Sequence, residues 1–242
     1  MFSANDSARD RLSRSSLHRR AFVFGAASTV LGGCTVMTQP EFLQLASFGP
    51  QSELRYAAVY AALPNERFPI PAVDTATIDP RYLRQIVPYA TSERPGTIIV
   101  DPRRRFLYFV LQDGRAIRYG VGVGREGFGW SGRATIERKA EWPTWTPPRS
   151  MIEREPELAK YAEGMPPSLN NPLGARALYL YQNGRDTLYR LHGTNEPLSI
   201  GRAVSSGCIR LFNQDIIDLY GRTPIGTPVV VLEHTLVSEL QI

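Results

Sequence analysis

Short runs of β-branched and aromatic residues, each ended by turn-forming residues, constrain the fold of this chain more than any other feature. Two such runs, at 106–111 and 116–123, lie on either side of Asp113-Gly114. An Asp-Gly pair between two strand-like runs is a strong signal for a two-residue β-hairpin, because both residues tolerate positive φ. A third run at 227–232 predicts a strand that closes the domain. These runs predict a mainly-β sandwich or barrel.

Helical signals are few and short. Residues 52–61 and 213–220 predict two short helices. Residues 153–162 are helix-compatible, but they lie in an irregular insert at 142–174 that is rich in Trp and Pro. Long irregular inserts between strands are typically functional, so this insert is a candidate functional segment. A surface loop packed around core tryptophans is the alternative.

The first 33 residues have the organisation of an export signal. An Arg-rich stretch ends at Arg19-Arg20, an apolar run of mostly small residues follows at 21–31, and Cys34 comes three residues later. The apolar run is too short to cross a bilayer permanently. Residues 31–34 resemble the lipobox of bacterial lipoproteins, in which the cysteine is lipidated, and 19–23 resemble a twin-arginine export motif. An amphipathic N-terminal helix with a buried Cys34 is the alternative.

These features predict a periplasmic protein that meets a membrane only through a lipid on Cys34. Thr35, rather than Asp, follows this cysteine, which favours the outer membrane. Cleavage of the signal without lipidation, and export by the general secretory route, stay open as alternatives.

The formal net charge of +5 is concentrated in the leader, where five Arg and two Asp precede Cys34. The other basic cluster, at 103–105, is flanked by Asp101 and strand-like residues, which favours a solvated surface over a phosphate-binding patch. We therefore do not expect nucleic acid as a partner. The G-x-G-x-x-G match at 122–127 is followed by further glycines rather than a helix, so we interpret it as a loop and not as a dinucleotide site.

If Cys34 carries lipid, Cys208 is the only thiol of the mature chain. An unpaired thiol in an oxidising compartment indicates a reactive group or an intermolecular link. Ser205, Ser206 and Gly207 precede it and permit a tight turn that would expose the sulfur beside backbone N–H groups able to hold an oxyanion. A buried inert cysteine and a disulfide with Cys34 are the alternatives.

His192 is the candidate base for this thiol. The other two histidines lie in the leader and near the C-terminus, whereas His192 follows a strand-like run at 187–191 and precedes Cys208 by 16 residues. Arg210 adds a positive charge that would favour the thiolate and could hold a substrate carboxylate. A purely structural histidine is the alternative. We expect no metal or other cofactor, because no CxxC or HxxxH spacing completes a ligand set.

Two segments together resemble the signature of the L,D-transpeptidase catalytic domain. They lie at 192–195 and 205–211 and read His-Gly-Thr-Asn and Ser-Ser-Gly-Cys-Ile-Arg-Leu. The resemblance covers residues 95–233 and implies the mainly-β fold of that family, in which the insert at 142–174 resembles a lid over the substrate groove. With it, the chain divides into an export signal at 1–33, an N-terminal extension at 34–94, the catalytic domain at 95–233 and a C-terminal tail at 234–242.

The resemblance implies that Cys208 is the acylated nucleophile, that His192 is the general base and acid, and that the Gly193 carbonyl orients the imidazole. The residues that it implies for the oxyanion hole and substrate binding are Gly207, Ser206, Ser205, Arg210 and Asn195. Many members have a second histidine where this chain has Ser206, so the resemblance supplies no proton donor at that position.

The implied activity is transpeptidation of peptidoglycan tetrapeptide stems through a cysteine thioester, giving 3→3 cross-links, with acylation by carbapenems. The same residues would serve an L,D-carboxypeptidase that uses water, or a ligase that joins an outer-membrane protein to the wall. A lipoprotein that binds the wall without catalysis is a further alternative.

Overall fold

The computed structural model describes residues 50–125, 130–205 and 207–233, which fall within one compact unit, Ala46–Ile242. The export signal, the lipidation site Cys34, the position of Ser206 and the C-terminal tail lie outside the described residues. Within the described ranges, no helix is both long and apolar enough to cross a membrane.

Short strands dominate the described part of the chain. The strands are β1 Gln85–Pro88, β2 Ile98–Asp101, β3 Phe106–Val110, β4 Arg115–Gly120, β5 Val123–Gly124, β6 Gly132–Glu141, β7 Arg176–Gln182, β8 Arg185–His192, β9 Ala203–Ser205, β10 Ile209–Arg210 and β11 Pro228–Val231. The α-helices are α1 Pro50–Val59, α2 Arg149–Arg154 and α3 Asn213–Arg222. The expected mainly-β fold with a few short helices is confirmed.

Nine strands form one mixed sheet in the order β1-β4-β3-β2-β11-β6-β7-β8-β10, and β5 pairs with β9 in a second, small sheet. Beyond β4, the backbone of Gly122 exchanges two hydrogen bonds of 2.9 and 2.8 Å with that of Arg210 in β10. The chain that follows β4 therefore meets the far edge of the large sheet, so the sheet curls around its core.

The hairpin predicted at Asp113-Gly114 is confirmed. The two residues have φ values of 58° and 64°, and β3 pairs antiparallel with β4. The helix predicted at 153–162 is wrong in its extent, because α2 ends at Arg154 and a 3-10 turn follows at Pro156–Tyr161. Pro156 has no N–H to continue the helix, and the residue before a proline is disfavoured in the helical region.

The main hydrophobic core supports the two strands that carry the candidate nucleophile and base. Leu191 of β8 is fully buried, and Ile209 of β10 is only 3% exposed. Both pack with Leu178 of β7 and Ile216 of α3 in one cluster. Burial of each such side chain contributes about 1.5–3 kcal/mol, so the backbone at this end of the sheet is firmly held.

Residues of the N-terminal extension pack on α3 and on the edge of the large sheet. Strand β1 pairs antiparallel with β4. The Tyr60 hydroxyl donates to the buried Asp215 carboxylate at 3.0 Å, and Arg84 Nη1 lies 2.8 Å from Asp218 Oδ2. The division into domains at residue 95 stays a prediction.

Candidate active site

The candidate base ends β8, and the candidate nucleophile immediately precedes β10. The two strands run parallel, with Ile209 opposite Leu191 and Arg210 opposite His192. Leu191 and Ile209 point into the core, so His192 and Arg210 point to the other face of the sheet. Cys208 and His192 line one cleft with a volume of about 800 Å³. A cleft of this size accommodates a short peptide.

The imidazole of His192 is held by the backbone of the next residue. Its Nδ1 lies 2.6 Å from the Gly193 carbonyl oxygen. A carbonyl oxygen only accepts hydrogen bonds, so Nδ1 of the neutral ring carries the proton and Nε2 carries the lone pair. The Pro172 backbone is a second group that interacts with the ring. The turn therefore selects the tautomer in which Nε2 can act as a base.

The environment of His192 keeps its ring neutral. The residue is only 4% exposed. Burial lowers the pKa of His192 from 6.5 to about 4; the Gly193 carbonyl opposes this shift, whereas the charges of Arg210 and Arg190 add to it. At neutral pH the imidazole is therefore a proton acceptor.

The sulfur of Cys208 lies against an irregular part of β8. Its Sγ is 3.7 Å from the carbonyl oxygen of Leu188, which has a φ of 63°. A bulge in the β7–β8 pairing at this point turns that carbonyl toward the cleft. Burial raises the pKa of the Cys208 thiol, although the backbone amide and the positive charge of Arg190 act in the opposite direction. The resting site therefore holds a neutral thiol beside a neutral imidazole.

Ser205 organises the turn before the cysteine. Its hydroxyl donates to the Cys208 carbonyl at 2.7 Å and accepts from the Gly207 amide at 3.2 Å. Gly207 has a φ of 133°, which favours glycine. The Gly207 amide already has an acceptor in this geometry, so an oxyanion there would compete with Ser205.

Both predicted substrate-binding side chains line the cleft, and both have protein partners. Arg210 Nη1 donates to Glu196 Oε2 at 2.6 Å, and Asn195 Nδ2 donates to the Asn170 carbonyl at 3.1 Å. The Glu196 side chain is 61% exposed, so this ion pair can open toward a ligand at small energetic cost.

Residues of the insert at 142–174 form the opposite, mainly apolar wall of the cleft. The apolar residues of the insert that line it are Trp145, Pro148, Met151, Leu158, Tyr161, Met165, Pro172 and Leu173. Buried Asn171 closes the base of the insert, because its Nδ2 donates to the carbonyls of Pro143 and Met165 and its Oδ1 accepts from the Leu173 amide. The wall lies where a lid-like insertion is expected.

Sequence reasoning missed three residues of the site. Glu196 pairs with Arg210, Leu188 contacts the sulfur, and Arg190 is held by a bidentate ion pair with Asp186 at 2.6 and 2.7 Å. The sequence signal for Leu188 and Arg190 is that they lie on the same strand as His192; Glu196 has no such signal. Among the described residues, no group of three or more His, Cys, Asp or Glu side chains is arranged to hold a metal ion.

The family model and the curated relatives name the same family. A family model described as YkuD, L,D-transpeptidase catalytic domain, matches residues 95–231. The probable L,D-transpeptidase ErfK/SrfK of Escherichia coli (strain K12) is 37% identical over 146 residues, which cover 57% of this chain and 44% of the relative. The probable L,D-transpeptidase YbiS of the same organism is 32% identical over 214 residues, which cover 86% of this chain and 66% of the relative.

The chain therefore spans about half to two thirds of the length of these relatives. A solved structure from Brucella melitensis, described as a probable carnitine operon oxidoreductase, is 47% identical and covers 66% of this chain and 99% of that chain, with a TM-score of 0.45.

Proposed function

The chain belongs to the L,D-transpeptidase family, and we propose that it cross-links peptidoglycan tetrapeptide stems through a thioester on Cys208. The observation that carries this proposal is that Cys208, just before β10, and His192, at the end of the paired strand β8, line one cleft that accommodates a peptide. The Gly193 carbonyl supports it further, because it holds the proton of the neutral ring on Nδ1, so the lone pair is on Nε2. The substrate class follows from the family.

In the first half-reaction, Cys208 Sγ attacks the carbonyl carbon at the L-centre of a diaminopimelate residue. The thiol proton passes to His192 Nε2 during the attack, since thiol and imidazole are both neutral at rest. The Cys208 backbone N–H, together with that of Gly207 once it leaves the Ser205 hydroxyl, stabilises the oxyanion of the tetrahedral intermediate. The imidazolium then protonates the amine of the terminal D-alanine as its C–N bond breaks, which leaves the thioester.

In the second half-reaction, an amine of a neighbouring stem attacks the thioester carbonyl. His192 accepts a proton from this amine and returns it to the departing sulfur of Cys208, so the site regains its starting state. The product is a 3→3 cross-link. The thioester conserves the energy of the cleaved peptide bond, so the exchange needs no nucleotide.

Intact-mass measurement after incubation with a carbapenem tests the nucleophile. The wild type should gain one acyl adduct and Cys208→Ala none, while His192→Gln should react more slowly because it lacks the base. A thermal melt of each variant controls for folding. An adduct of undiminished yield on Cys208→Ala would overturn the assignment.

Acceptor choice is tested with purified tetrapeptide. With stem peptides alone, we expect a cross-linked dimer and released D-alanine. A tripeptide product without dimer would identify an L,D-carboxypeptidase, and a conjugate formed only with an outer-membrane protein would identify a wall ligase. A thiol that resists alkylation near neutral pH, together with no turnover, would favour a wall-binding lipoprotein.

We also propose that the protein is exported to the periplasm and held at the outer membrane by a lipid on Cys34. The support is the order of an Arg-rich stretch, an apolar run and Leu31-Gly32-Gly33-Cys34 in the sequence. Membrane fractionation tests this: Cys34→Ala should move the protein to the soluble periplasmic fraction. An unchanged membrane fraction would contradict lipid anchoring.

A further inference from the structure

We propose that Asn213 is a positioning residue for the His192 base, through the Gly193–Thr194 turn; this inference rests on the function proposed above. Asn213 is the first residue of α3 and lies outside the motifs that identify the nucleophile and the base. Its side-chain amide bridges the start of β7 and the end of β8, where these two strands diverge.

Both the oxygen and the nitrogen of the Asn213 side-chain amide form hydrogen bonds with the backbone. Oδ1 accepts from the Ala175 backbone N–H at 2.9 Å, and Nδ2 donates to the Thr194 carbonyl at 3.0 Å. The last backbone bond between the strands runs from the Gly193 N–H to the Arg176 carbonyl at 3.0 Å. The amide therefore ties the strands together one residue beyond the point where their backbones stop pairing.

Two glycines make room for this amide. A Cβ added at Gly193 or at Gly174 would overlap Asn213 Oδ1. Gly174 also has a φ of 62°, which favours glycine. The backbone of Gly193 and that of Gly174 both approach the Asn213 amide closely. The backbone is therefore shaped around Asn213, and this side chain does more than fill a gap.

The bond to Thr194 acts on the group that orients the base. The Gly193 carbonyl, which lies 2.6 Å from His192 Nδ1, belongs to the peptide group between Gly193 and Thr194. The Thr194 carbonyl belongs to the next peptide group, so fixing it limits the rotations about the Thr194 Cα that would tilt the Gly193 carbonyl. The orientation of the imidazole and the choice of its tautomer thus depend on Asn213.

Helix α3 is a rigid support for such a role. Asp215, two residues after Asn213, is fully buried and accepts from the Tyr60 hydroxyl at 3.0 Å. Ile216 and Leu219 of the same helix are fully buried in the main core. A side chain on a packed helix holds its hydrogen-bond partners more precisely than one on a loop.

Asn213→Ala and the milder Asn213→Asp test the proposal. Asn213→Asp keeps the acceptor for Ala175 but turns a carboxylate oxygen toward the Thr194 carbonyl. The matched control is Gln214→Ala, which also removes two hydrogen bonds from α3, but to the carbonyls of Ala61 and Pro71, away from the histidine. Thermal melts establish that each variant folds.

The first readout is ¹⁵N NMR of histidine-labelled protein, with His192→Gln used for assignment. The wild type and Gln214→Ala should show the Nδ1–H tautomer of His192. Asn213→Ala should show a mixture of tautomers and a titration midpoint below the wild-type value of about 4, because displacing the Gly193 carbonyl weakens a hydrogen bond that raises the pKa of His192. Unchanged tautomer and midpoint in both Asn213 variants would overturn the proposal.

The second readout is the pH profile of carbapenem acylation. Asn213→Ala should acylate about 10²-fold more slowly than Gln214→Ala, since small displacements of a catalytic group cost this much. Its acid limb should move to lower pH together with the NMR midpoint. A wild type that does not acylate would refute the proposed function but leave the NMR test of Asn213 intact, so the two failures are distinguishable.

Discussion

The low pKa of His192 has a direct consequence for the pH dependence of the enzyme. Burial of a ring that is 4% exposed, with the charges of Arg210 and Arg190 nearby, lowers its pKa from 6.5 to about 4. A shift of this size corresponds to about 3 kcal/mol of disfavoured protonation. At pH 5.5 only about 3% of the rings would be protonated, against about 90% for an ordinary histidine.

Acylation of Cys208 should therefore stay near its maximum down to about pH 5. A protonated imidazole cannot accept the thiol proton, so the rate should fall with a midpoint near pH 4, the pKa of His192. Stopped-flow measurement of carbapenem acylation between pH 3.5 and 8 gives the profile, with circular dichroism to confirm folding at each pH. A midpoint between 6 and 6.5 would refute the reasoning, because it would mean an unperturbed histidine.

The same shift links protonation of His192 to stability. The unfolded chain binds a proton at His192 below pH 6.5, but the folded protein does so only below about 4. Protonation of the unfolded chain therefore does not reduce the stability of the fold above pH 6.5. As the pH falls from 6.5 toward 4, the free energy of unfolding decreases by about 3 kcal/mol. His192→Gln lacks this titration, so its free energy of unfolding should depend less on pH in this window. Parallel profiles for the two proteins would contradict the expected pKa.

Two further predictions concern acidic residues, one in the cleft and one in α3. Glu196→Gln should lower the KM for tetrapeptide about 2–5-fold at unchanged kcat, because an exposed ion pair worth about 0.2–1 kcal/mol no longer competes for Arg210; an increased KM in a D-alanine release assay would contradict it. Burial raises the pKa of Asp215 from 3.8 to about 7. The folded protein therefore binds this proton more tightly than the unfolded chain, and the resulting contribution to stability is fully present below pH 4 and is lost as the pH rises to 7. The melting temperature of Asp215→Asn should therefore fall less than that of the wild type between pH 4 and 7.5, and identical profiles would show that Asp215 is not neutral in the fold.

Local chemistry explains which parts of the fold could be predicted. The turn at Asp113-Gly114 needs two residues that accept positive φ, and only a few residue types do so. The strand that ends at His192 and the short helix from Asn213 follow from hydrophobic pattern and start signals in the same way. The helix expected at 153–162 failed where Pro156 interrupts it, so the proline outweighed the favourable composition around it.

The contacts that complete the site lie beyond such local signals. The bulge that turns the Leu188 carbonyl toward Cys208 depends on how β8 pairs with β7. The partner of Arg210 is Glu196, 14 residues earlier, and no spacing rule connects the two. Such contacts form only when distant segments are packed together.

The sequence alone predicted several of the strands and proposed the thiol and the imidazole as the reactive pair, because residue type and short spacing specify backbone preference and chemical reactivity. Tertiary structure alone decided the protonation states, since the pKa of His192 and of Cys208 depends on burial by other strands and on charges brought in from β8 and β10. It also decided how the base is held, because the side chain of Asn213 reaches the histidine turn only after α3 has packed against β7 and β8.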